Sequence, residues 1–161
     1  MWTLMLLACA GAINSDHAAT KKEYAAIAGV WRFDLVQVDG KKQPPAPFAT
    51  NQLIIAKDGS YAVIQGKNVT RGTLKLGLAG APENYDVTIL TGRLKGTTFL
   101  GIHDLQGDRL RVCFSLKNKN RPTVLASEPG SGLLYEVFAR EKQEISEALA
   151  QAARIEKAGA P

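Results

Sequence analysis

The sequence predicts an all-β fold, an eight-stranded up-and-down antiparallel barrel with a C-terminal amphipathic helix. Three observations carry this. Gly29-Val30-Trp31 stands at the start of a long run of short segments in which apolar and polar residues alternate at the strand period. Gly, Asn or Asp separates one segment from the next. No interval holds a helix long enough for a parallel crossover, which leaves antiparallel pairing throughout. At 161 residues there is room for one domain with a real core.

Residues 1–12 carry no charge and are too short to span a bilayer. They read as the apolar part of an export signal, with Ala10-Gly11-Ala12 as a small-x-small cleavage site. Leu6-Leu7-Ala8-Cys9 also reads as a lipoprotein box, in which a lipidated Cys9 would anchor the chain to a membrane. No basic residue precedes the apolar run, so an apolar N-terminal strand stands beside both readings, as does a start codon further upstream. Export implies an extracytoplasmic address, periplasmic or secreted. Cleavage would leave Cys113 alone, so no internal disulfide forms and the domain rests on its packing.

Residues 13–28 are polar and Ala-rich and predict a short helix ending before Gly29. Strands are expected at 30–38, 51–57, 60–65, 69–76, 84–91, 96–103, 108–115 and 133–140. Asp58-Gly59 is a two-residue hairpin signal, since both central positions of a type I′ turn take φ > 0. Gly107-Asp108 marks another tight connection. The stretch 39–50, with Pro44-Pro45-Ala46-Pro47, and the polar stretch 117–132 predict long loops. Beyond Ala139 the period changes: Ile145, Ala148, Leu149, Ala152 and Ile155 fall at helical spacing until Gly159 and Pro161. The chain thus divides into a leader (1–12), a barrel (24–140) and a helix (141–158), whose stripe either packs on the barrel wall or meets a partner.

Several of these segments also recur as an ordered set. Ile27-Ala28-Gly29-Val30-Trp31, Asp39-Gly40, Gly72-Thr73-Leu74-Lys75-Leu76 and Pro82-Glu83-Asn84-Tyr85-Asp86 are followed by Gly101 through Phe114 and Arg121-Pro122-Thr123. Over residues 24–140 the chain resembles an uncharacterised lipocalin-like domain family of planctomycete bacteria. His103 departs from that pattern, which has Tyr there, and the helical tail exceeds the core domain. The resemblance implies an exported lipocalin-type barrel and no particular reaction. It further implies that Trp31 plugs one end and that an Arg late in the last strand, here Arg140, lies across it. A planar guanidinium stacks well on an indole face. Gly29, Trp31 and Arg140 are therefore expected to form a structural closed end.

Strand parity then sorts the loops. With Trp31 at the sealed end, loops 39–50, 66–68, 92–95 and 117–132 lie at the open end. These carry Lys41, Lys67, Arg93, Lys95, Lys117 and Arg121, a cationic mouth that would steer anions. The alternative is that loops are simply where basic residues collect. Alternation assigns Phe33, Leu35, Tyr61, Val63, Tyr85, Val112 and Tyr135 to the interior as ligand-contacting candidates. Their tyrosines either orient a ligand or fill core, and an eight-stranded barrel is at the size where both outcomes occur.

No catalytic constellation is visible. Neither HExxH, a Walker loop nor a dinucleotide fingerprint occurs, and with His17 near the start of the chain and Cys9 in the leader, His103 and Cys113 alone cannot build a zinc cage, so no metal and no cofactor is expected. His103-Asp104 are neighbours on opposite strand faces, a poor arrangement for a base and its orienter. Lys117-Asn118-Lys119-Asn120-Arg121 lacks interleaved aromatics, so nucleic acid is not an expected partner. The sequence reads as a non-enzymatic, exported binding protein for a small apolar or amphiphilic, anionic ligand. Its alternative is a filled barrel acting as a cell-envelope interaction module.

Overall fold

The computed structural model describes residues 20–77, 82–117 and 120–159. The expected leader, Cys9 and Lys119 lie outside the described residues. A short helix α1 (residues 20–27) leads into ten strand segments. These are β1 (Gly29–Val38), β2 (Lys41–Lys42), β3 (Gln52–Ile55), β4 (Ser60–Gln65) and β5 (Asn68–Leu76). They continue with β6 (Glu83–Ile89), β7 (Thr98–Phe99), β8 (Gly101–Gln106), β9 (Arg109–Ser115) and β10 (Leu133–Glu141), before α2 (Ile145–Gly159).

The strands pair antiparallel in the order β1, β3, β4, β5, β6, β8, β9, β10, and β10 returns to pair with β1, so the sheet closes on itself. Closure removes the free edges of the barrel strands. β7 and β8 hold one register against β6 and form a single barrel strand interrupted at Leu100, while β2 is a short arm beside β1. The barrel is therefore eight-stranded.

The inward faces of the strands build the main core, which includes Trp31, Ile55, Leu74, Leu76, Tyr85, Leu110, Val112 and Phe138. Ile27 of α1 joins this core, and the Tyr24 hydroxyl donates to the Leu74 carbonyl at 3.0 Å. Gly72 is required where β5 passes β4: a Cβ there would stand 2.3 Å from the Thr88 carbonyl oxygen and 2.4 Å from the Tyr61 ring. The tyrosine thus lies flat beneath the glycine and is held inward.

A second apolar layer lies outside. Ala148 and Ala152 of α2 are fully buried against Val30, Ile54, Ala62 and Ile64, flanked by Ile145, Leu149 and Ile155. Small side chains let the helix approach closely, and Arg71 fixes its far end through two 2.8 Å hydrogen bonds to Glu156. The predicted apolar stripe of the tail is the face that packs on the barrel.

Both long loops pack back onto the barrel. The 39–50 segment, largely exposed, turns back through β2 and buries Phe48 against Phe33, 6.5 Å between ring centroids. The segment after β9 folds along the outer wall. Cys113 Sγ lies 3.5 Å from the Ala126 carbonyl oxygen, and the Ser127 backbone carbonyl accepts a 2.9 Å hydrogen bond from Gln37. Burial raises the pKa of the Cys113 thiol, as suits an inert packed sulfur.

Candidate functional site: the barrel lumen

One end of the barrel is sealed. Trp31 has no exposed surface, and its Nε1 donates to the Ile27 carbonyl at 3.0 Å. The Arg140 guanidinium lies 4.1 Å from the centre of the Trp31 ring. It donates to the Ala28 and Ala26 carbonyls at 2.7 and 2.8 Å, capping the last turn of α1, and to Asp108 at 3.0 Å. A Cβ at position 29 would stand 2.6 Å from Arg140 Nη1, so Gly29 is what lets the guanidinium reach those carbonyls. These three residues form one structural unit, with the guanidinium held on the indole face by the hydrogen bonds above.

Above this plug the lumen is open, with a cavity of about 330 Å³, at the lower end of the ~300–1,000 Å³ usual for ligand pockets. Phe33, Leu53, Leu74, Val87, Val112 and Phe138 are among its apolar lining. Leu94 and Leu116 also line it yet are 49% and 42% exposed, which marks them as the lips of the opening. Arg93 and Lys95 flank Leu94 in the same loop, and Lys67 is exposed in the β4–β5 turn.

Of the interior candidates, Phe33, Tyr61, Val63, Tyr85 and Val112 line this cavity; Leu35 and Tyr135 do not. Leu35 is turned outward by a β-bulge. Phe33 pairs with Phe138 and Leu35 with Val137, leaving Asp34 without a partner and passing the inward position to Val36. Tyr135 and Val137 share the outer face of β10, and Tyr135 lies beside Arg111.

The mouth residues also separate. Arg121 is not at the opening: it reaches the outer wall, where it pairs with both Asp86 carboxylate oxygens and donates to the Gly101 carbonyl at 2.6 Å. Lys117 lies 3.7 Å from Asp39. The Asp39 carboxyl is held below its usual pKa, mainly by accepting the Gly132 backbone N–H. Lys41 is exposed on β2. Lys67, Arg93 and Lys95 remain as rim cations without an ion pair among the described residues.

Glu136 is the lining residue that parity from the wrong face conceals. On β10 the inward set is Leu134, Glu136, Phe138 and Arg140, and Glu136 stands opposite Val36 on one side and Val112 on the other. Its remaining exposed surface opens onto the cavity. Burial pushes its pKa up to about 7. Tyr61 and Tyr85 contribute hydroxyls to the same cavity. Burial raises the pKa of Tyr61 to about 12, and burial together with the nearby Glu136 raises that of Tyr85 as well. Among the described residues none of these three side chains has a hydrogen-bond partner in the protein. The signal was present in the sequence: once Arg140 is placed inward at the plug, counting back in steps of two reaches Phe138 and then Glu136.

A smaller cavity of about 180 Å³ lies near the sealed end, lined by Glu23, Glu83, His103 and Leu105. His103 is packed against Tyr85 at 5.3 Å between rings, with Nε2 3.6 Å from Glu83. Burial lowers its pKa, against the opposing pull of Glu83. This is a core histidine. Among the described residues no group of His, Cys, Asp or Glu has the arrangement of a metal site, and no helix is long and apolar enough to cross a membrane.

No family model, curated protein or solved structure matches the chain.

Proposed function

We propose that this protein is a lipocalin-like binding protein that holds one small apolar or amphiphilic molecule in its lumen without turning it over. The observation that carries this reading is the open, largely apolar cavity of about 330 Å³ above a sealed plug, with Leu94 and Leu116 as exposed apolar lips. A filled barrel acting as a cell-envelope module would need a packed lumen, and the cavity weighs against it. The extracytoplasmic address rests on the leader-like residues 1–12, and lipidation of Cys9 would make the protein membrane-anchored.

Two features weigh against the anionic head group expected from the loops. Arg121 is committed to Asp86, and among the described residues the ionisable groups lining the lumen are one acid and two tyrosines, with no base. Exposed rim cations act in a medium close to water, where a pair 4 Å apart gains about 1 kcal/mol; at the effective dielectric of a protein site the figure is about 4 kcal/mol. The lumen therefore outweighs the rim in choosing the ligand.

Native mass spectrometry of the protein purified from its own cells tests the reading. Wild type is expected to carry a small-molecule adduct that is lost in Val63→Trp, whose indole occupies the cavity. An adduct that persists in Val63→Trp, or a wild-type protein without adduct that also takes up no 1-decanol, would contradict it.

A further inference from the structure

We propose that the ligand carries a basic nitrogen on its inward end, held as an ammonium by the Glu136 carboxylate with the Tyr61 and Tyr85 hydroxyl oxygens beside it. This rests on the binding reading above and specifies the chemistry of the same site.

The lumen holds a side chain that the fold itself does not use. Glu136 lies midway along β10, below the lips and above the plug, level with Val112, with Phe138 and Phe33 one step toward the plug and Phe114 one step toward the lips. A carboxylate in an apolar wall without a partner is unfavourable, and half-buried Glu136, which opens on the cavity, has no ion pair and no hydrogen bond to a described residue. The groups facing it can be named strand by strand. β4 presents Tyr61 and β6 presents Tyr85; β1 and β9, on either side, present Val36 and Val112. The charged residues of the adjacent wall, Arg111 and Asp104, pair with each other on the outer face. Besides Gln65 and Thr70, the barrel therefore offers one acid and two phenol oxygens in an otherwise apolar chamber. A primary ammonium brings three donors and one compensating charge to those three oxygen-bearing groups. A carboxylate or phosphate would instead face like charge at close range, and a plain hydrocarbon would leave the carboxyl unpaired.

Calorimetric titration of the full chain with n-decylamine, 1-decanol and decanoate tests this, because the three probes share a tail and differ in the head. Near pH 8 the amine is expected to bind at least about tenfold more tightly than the alcohol, the ratio that a hydrogen bond to a charged group supports. In Glu136→Gln the amine-to-alcohol ratio is expected to fall to about one. Amine affinity of the wild type should also drop as the pH is lowered toward 5, because the carboxyl takes up a proton there; this second readout does not depend on the variant folding. Equal affinity for all three probes, tightest binding of decanoate, or an amine preference retained in Glu136→Gln would overturn the nitrogen assignment while leaving the binding reading intact. Failure of all three probes to bind would overturn both.

Discussion

Trp31→Ala is expected to lower stability by about 3–5 kcal/mol, the range for truncating a buried large aromatic, measured by urea unfolding. That is a large share of the ~5–15 kcal/mol available to a domain. The residue has no exposed surface, so the full transfer free energy is lost and a cavity is left. The loss also spreads. The indole N–H no longer holds the Ile27 carbonyl, and Arg140 loses the face on which it lies 4.1 Å from the ring centre. The guanidinium is then retained only by the Ala26 and Ala28 carbonyls and by an exposed Asp108. α1 should detach first, and its amides should exchange faster in the variant. A cost below about 1 kcal/mol would mean that the plug is not what closes this end.

Glu136→Gln is expected to make the empty protein more stable, and the gain depends on pH with a definite sign. The folded-state pKa of Glu136 is raised from 4.5 to about 7. Below 4.5 both folded and unfolded chains hold the proton, and the carboxyl costs nothing extra. Between 4.5 and about 7 the unfolded chain releases the proton while the folded one retains it, so stability falls as pH rises. Above that window the full penalty is present. At 1.36 kcal/mol per pKa unit the shift amounts to about 3 kcal/mol. This is an upper bound, because the lumen is wide enough to admit water. The variant should therefore match wild type near pH 4 and exceed it by up to about 3 kcal/mol near pH 8. Taking the difference between the two proteins cancels the other titrating groups, among them Glu23, whose carboxyl is also raised by burial. A variant less stable than wild type at pH 8 would show that the carboxylate has a structural partner.

Much of the barrel was legible because its signals are local. Asp58-Gly59 sets one hairpin, and the alternation of Leu110, Val112 and Phe114 against Arg109, Arg111 and Cys113 sets the inward face of β9. Where a local rule met a long-range one, legibility failed. The bulge at Asp34 is imposed by pairing with β10, a partner a hundred residues away in the chain, and it turns Leu35 outward. β10 is apolar on both faces because the loop after β9 covers part of the outer wall, so its composition did not reveal its parity. Arg121 looked free because Asp86 is distant in sequence; in the fold they are bonded. The lumen itself depends on side-chain volumes summed across eight strands, which no single segment encodes.

The central claim is that small molecules bind inside the barrel, and amide chemical shifts of uniformly labelled protein titrated with 1-decanol test it most directly. The expected result is saturable shifts at Tyr61, Val63, Val112 and Glu136, with Ala148 and Ala152 of α2 unmoved, because the helix packs on the outer wall. Shifts confined to α2 or to the outer loops, with the lumen residues silent, would contradict it.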